Sequence, residues 1–116
     1  MDNDHSICQR LAMMLDEDPS CTILIIGRYM PPVRAEYNKV RHLTRKAKLR
    51  PTLAKTGHLR SVTAQQGRLE AFAPIGLARG RRARAVLHIG ERDDHIEMVL
   101  DSFRMSGAIV YTSLGV

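Results

Sequence analysis

Tryptophan is missing from this sequence, and only Tyr29, Tyr37, Tyr111, Phe72 and Phe103 are aromatic. A platform for stacking unpaired bases is therefore poorly supplied, and the core has to be built mainly from aliphatic side chains. Cysteine is limited to Cys8 and Cys21. Two are too few for a disulfide scaffold, so a reducing, cytoplasmic setting is expected. No aliphatic stretch approaches the ~18 residues of a membrane span; Ile23-Leu24-Ile25-Ile26 is already bounded by Thr22 and Gly27. The opening Met1-Asp2-Asn3-Asp4 is acidic where a secretory leader is basic, so neither a signal peptide nor a membrane partner is expected. The 116 residues are 44% apolar and 26% charged, which excludes a mostly disordered or collagen-like chain and suits one domain, or a fragment of one, over residues 1–116.

Acids are nearly absent from the middle of the chain. Between Arg28 and Arg84 fifteen Lys and Arg face only Glu36 and Glu70, a local charge of +13, while the remainder carries three arginines and ten acids, or −7. A basic middle between acidic ends points to a polyanion partner, most simply nucleic acid or nucleotide phosphate. The competing reading is a solvated face that keeps the protein in solution.

Helix and strand patterns alternate. Asn3 or Asp4 can cap a helix with Ile7, Leu11, Met14 and Leu15 on one face, and Asp16-Glu17-Asp18-Pro19 should end it near Leu15, because acids oppose the dipole at a helix C-terminus. Cys21–Gly27 is an apolar, β-branched run suited to a strand buried on both faces. Pro31-Pro32 can start a second helix, with Val33, Tyr37, Val40, Thr44 and Ala47 at helical spacing and Pro51 as the stop. On that helix Arg34, Arg41, Arg45 and Lys48 form a basic stripe that is expected to meet nucleic-acid phosphates. His58–Thr63 is a weak strand, the stretch from Gln65 to Arg84 is broken by Gly67, Pro74, Gly76 and Gly80, and Arg79–Arg84 resembles an exposed basic loop. Ala85–Ile89 is a further strand, Asp94 can cap a helix carrying Ile96, Val99, Leu100 and Phe103, and Ala108–Tyr111 is a last strand. The sum is an α/β layer structure with a mainly parallel sheet.

Catalytic signatures are absent. There is no Walker A loop, no G-x-G-x-x-G and no G-x-S-x-G elbow, so the chain alone is not expected to hydrolyse ATP and no catalytic residue is assigned. His5, Cys8 and Cys21 match no paired metal-ligand spacing, and no metal is expected. Asp93-Asp94-His95 suits helix capping better than catalysis, and no base is nominated beside Cys8.

Three places carry a family resemblance, the last of them in two pieces. Ile23-Leu24-Ile25-Ile26-Gly27-Arg28-Tyr29 resembles the strand and arginine of motif IV in UvrD-like superfamily 1 DNA helicases, nearest the helicase IV branch. Val62-Thr63-Ala64-Gln65-Gln66-Gly67-Arg68-Leu69-Glu70-Ala71 resembles that family's T-x-H-x-x-K-G-L-E-A-D motif. Glu91–Leu100 resembles the acidic segment before the last motif, and Ile109–Leu114 resembles its Y-V-A-L strand. The order agrees from about Cys21 to the C-terminus. Departures are equally specific: the middle motif is one residue short, Gln65 stands for His, Gly67-Arg68 stands for Lys-Gly, Phe72 replaces an acid, and Gly115-Val116 replaces the Thr-Arg of the arginine finger.

The resemblance implies an incomplete, RecA-like second motor domain, degenerate or truncated. It would contact ATP only together with a first motor domain acting in trans, and it would bind single-stranded DNA. By position, Arg28 would reach the nucleotide phosphates, Glu70 the ribose, and Gly67 would allow close backbone approach, while Thr63 and Gln65 would lie on the DNA side. A small basic nucleic-acid-binding protein without catalysis is the alternative, and a protein-interaction module using the acidic ends is a third.

Overall fold

The computed structural model describes residues 3–53 and 55–114, with side chains from residue 6 onward. The expected Asn3 or Asp4 cap, His5 as a metal candidate, and the Gly115-Val116 replacement lie outside what is described. The elements are α1 (Asn3–Glu17), β1 (Thr22–Gly27), α2 (Met30–Leu43), β2 (Arg50–Pro51), β3 (His58–Val62), β4 (Arg68–Phe72), a 3-10 turn (Ile75–Ala78), β5 (Ala85–Ile89), α3 (Asp94–Met105) and β6 (Ile109–Ser113). They form an α/β domain around one six-stranded sheet of order β2-β3-β4-β1-β5-β6. Neighbouring strands from β4 through β1 and β5 to β6 are parallel, and β2 and β3 add an antiparallel margin beside β4.

β1 explains the layering. Its alternate side chains serve two cores: Ile23 and Ile25 pack with α1 and α2, and Leu24 and Ile26 pack with α3 and the 3-10 turn. All four are fully buried. Both faces of a parallel sheet need helical cover, which is why this strand reads as an unbroken apolar run. Truncating Leu24 to Ala at such a site costs about 2–5 kcal/mol.

Four sequence expectations need correction. The segment expected to be irregular contains β4, a central strand, with Leu69 and Ala71 on the α1/α2 side and Phe72 on the α3 side. α1 runs on to Glu17 rather than ending near Leu15, because Asp16 is tied to the segment after α2: its carboxylate accepts the backbone N–H groups of Arg45, Lys46 and Ala47 at 2.7–3.1 Å. The same contact explains why α2 ends at Leu43 instead of reaching Pro51. The Thr44 hydroxyl donates to the Val40 carbonyl at 2.7 Å, and the following amides turn to Asp16. Finally, Asp93 rather than Asp94 caps α3, accepting the Ile96 N–H at 2.8 Å.

Candidate functional site

In open α/β sheets ligands gather at the carboxyl ends of the strands, where successive crossovers leave in opposite directions. Here that point lies between β1 and β5. β1 continues into α2 on one face of the sheet, and β5 continues into α3 on the other. Arg28 and Tyr29 follow β1 directly, and Gly90 and Glu91 follow β5. Together with Pro32, Ile89 and Leu114 they line a cleft of about 350 Å³. Gly90 adopts a φ of 115°, a left-handed-side conformation suited to glycine, and its N–H donates to the Ser113 carbonyl, so the loop turns tightly across the end of β6.

Arg28 is exposed at the rim of this cleft. Its Nη2 donates to the Asp93 carboxylate at 2.9 Å, with both side chains more than half exposed. Asp93 is held below the usual carboxylate range, first by the Ile96 N–H and further by Arg28. A solvent-screened pair of this kind can exchange a carboxylate for a phosphate without disturbing the core. The Asp93 partner lies 65 residues away in sequence. Asp93-Asp94 is legible in the sequence as a capping signal, but its contact with Arg28 is not.

The other residues expected near nucleotide or DNA are dispersed. Gly67 and Thr63 sit together at the amino end of β4, with Gly67 level with Cys21 and so seven residues before Arg28 along β1, about 23 Å at 3.3 Å per residue. The Thr63 hydroxyl donates to the Pro19 carbonyl and accepts the Gly67 N–H. A Cβ at Gly67 would run into that same Pro19 carbonyl, so the close backbone approach that glycine permits here is internal. Gln65 is exposed in the turn between β3 and β4.

Glu70 points to the α3 side of the sheet and is buried. Its carboxylate is 2.7 Å from His58 Nε2 and accepts from Arg81 at 3.3 Å. His58 stacks on the Phe72 ring at 4.4 Å between centroids, and the Arg81 guanidinium also lies over that ring at 4.4 Å. Burial of the carboxylate is thus compensated by two partners drawn from β3 and the basic loop. Neither partner is evident from local sequence.

The basic stripe is split. Arg34 and Arg41 belong to α2, while Arg45 and Lys48 lie beyond its end in the segment bound by Asp16. Arg34, Arg45 and Lys48 are exposed, and Arg41 is half-buried with its guanidinium 5.7 Å from the Tyr37 ring. Among the described residues no helix is long and apolar enough to cross a membrane.

No family model matches the chain, and no curated protein matches it. Its fold is similar to part of a solved structure, the large terminase from a thermophilic bacteriophage, with a TM-score of 0.61 at 9% identity. The likeness covers 92% of this chain and 28% of that one, so the chain spans less than a third of the length of the protein it resembles. At this identity the similarity concerns the fold.

Proposed function

We propose that this chain is a second, RecA-like motor domain of the UvrD-like superfamily 1 DNA helicase type, working with a first motor domain supplied in trans. The observation that carries the reading is the position of Arg28: it follows β1 directly, at the rim of the crevice between the two oppositely wound halves of the sheet. Its planar guanidinium suits nucleotide phosphates, to which it can donate two parallel hydrogen bonds. The chain fits a phosphate contact rather than a complete nucleotide pocket. The Gly67 N–H is already given to Thr63, and the Glu70 carboxylate to His58 and Arg81. Bound ATP would supply the phosphates. Arg28 would orient them by exchanging Asp93 for a phosphate oxygen, and the chain alone would hydrolyse nothing.

Single-stranded DNA would lie along the α2 side, on Arg34, Arg41, Arg45 and Lys48. Without interleaved aromatics these side chains meet phosphates and not bases, so affinity would depend strongly on salt and little on sequence. Contact with about four phosphates gives a log–log salt slope of roughly −3 on a single strand. The test is single-stranded DNA affinity from low to physiological salt for the intact chain and for Arg34→Ala/Arg41→Ala. The expected result is weaker binding to every sequence and a slope shallower by about 1.4. An unchanged slope and affinity in the variant would remove the DNA side of this function.

A further inference from the structure

The loop carrying Arg79 and Arg82 forms one wall of a second cleft, of about 410 Å³, and α3 forms the other. This cleft lies on the α3 face and shares no lining residue with the crevice at Arg28. α3 sorts its charges by face. Glu97 is engaged by Arg92 at 3.1 Å and Asp101 by Arg104 at 2.6 Å, and neither acid lines the cleft. The side that does line it offers His95, Met98, Ser102 and Ser106. The acidic C-terminal region therefore presents an acid-free wall to a row of arginines.

The arginines differ in their engagement. Arg81 is held by Glu70 and Arg84 pairs with Asp18, whereas Arg79 and Arg82 are exposed and form no ion pair among the described residues. Gly80, at a φ of 78°, turns the loop between them, and nothing lies within 4 Å of where its Cβ would be. Two uncommitted guanidinium groups share the cleft with the Ser102 hydroxyl and an exposed, polarisable methionine, while the Ser106 hydroxyl donates to the Phe103 carbonyl at 2.9 Å.

We propose that this cleft binds a nucleotide unit. The phosphate is held between Arg79 and Arg82 with the Ser102 hydroxyl as a further donor, and the base rests on Met98. Guanidinium groups favour phosphate oxygens because they donate in parallel pairs, and the thioether gives a flat ring an adaptable apolar contact. The size falls in the range of about 300–1,000 Å³ that holds small ligands. This site does not depend on the helicase reading, since it uses neither Arg28 nor the α2 basic residues. The same chemistry is offered by a free mononucleotide and by one unit of a strand.

The experiment is displacement of N-methylanthraniloyl-AMP from the intact chain, followed by fluorescence anisotropy, with AMP, inorganic phosphate and a 5′-phosphorylated oligothymidylate as competitors. AMP should displace the probe at least about tenfold better than inorganic phosphate, because only AMP brings a base. Arg79→Ala/Arg82→Ala and, separately, Met98→Glu should each weaken the probe by about tenfold or more. Arg10→Ala/Lys55→Ala, which removes the same charge from exposed positions elsewhere, should leave it unchanged. Displacement by the oligothymidylate at a concentration matched to AMP assigns the site to strand units, and failure of the oligothymidylate to compete assigns it to the free nucleotide. The proposal is overturned if the Arg79/Arg82 variant binds like wild type, if the charge-matched control loses as much, or if inorganic phosphate competes as well as AMP.

Discussion

His88 occupies the next-to-last position of β5, in register with Ile26 and Thr112, and only 1% of its surface is exposed. Neither ring nitrogen has a hydrogen-bond partner among the described residues. A neutral imidazole carries one donor and one acceptor, so both are buried unsatisfied, at a cost of about 1–3 kcal/mol for a group of this kind. His88→Leu removes both polar atoms at similar volume, and imperfect fit of the branched side chain returns up to about 1.5 kcal/mol. The expected outcome at pH 7.5 is a variant as stable as wild type or more stable by about 1–2 kcal/mol. The pH dependence gives an independent sign. Burial, reinforced by Arg92, lowers the His88 pKa below its ordinary 6.5, with Glu97 and Asp93 opposing. As pH falls through about 6.5 the unfolded chain takes up a proton that the folded chain refuses, so wild type loses stability until the lower folded pKa is passed. Urea unfolding followed by circular dichroism at pH 7.5 and 5 should show a smaller loss for His88→Leu than for wild type. A variant destabilised by more than about 1 kcal/mol at pH 7.5, or one with the wild-type pH profile, would refute the account of an unsatisfied buried ring.

Two further substitutions test how distant residues shape the fold. Partial burial pushes the Asp16 carboxyl up, but the N–H groups of Arg45, Ala47 and Lys46 outweigh it and hold the pKa below its ordinary value. Asp16→Ala should therefore cost about 1–2 kcal/mol at neutral pH, and the wild-type advantage should fade as pH drops below about 4, which chemical denaturation at pH 7 and pH 3 would measure. Gly67→Ala should lower the melting temperature through a loss of about 1–3 kcal/mol, since the new methyl group meets the Pro19 carbonyl backbone; an unchanged melting temperature would show that the two segments separate readily.

Legibility follows the range of the interactions. β1 and β5 are readable because their apolar runs are buried on both faces, and Pro31-Pro32 marks the start of α2. The end of α2 is not readable, because the acceptor that redirects its chain is Asp16, about 30 residues earlier. β4 is hidden for a related reason. Glu70 and Ala71 are weak strand formers, and the strand is specified by pairing with β1 and by the His58 and Arg81 partners of its buried carboxylate. At the site, the strand pattern locates Arg28 correctly after β1, whereas the Asp93 contact depends on two loops meeting across the sheet. The basic loop at Arg79–Arg82 is visible as composition, but its opposing wall on α3 is not.

The central claim is that Arg28 offers its guanidinium to nucleotide phosphates at the crevice between β1 and β5. Amide chemical-shift mapping of the intact, isotope-labelled chain, titrated with ATP in the presence of an unlabelled UvrD-like first motor domain, measures this directly. The account predicts concentrated shifts at Gly27–Tyr29 and Gly90–Arg92, lost in Arg28→Ala while the rest of the spectrum stays folded. Unmoved amides around the crevice, or equal shifts there with and without Arg28, would contradict it.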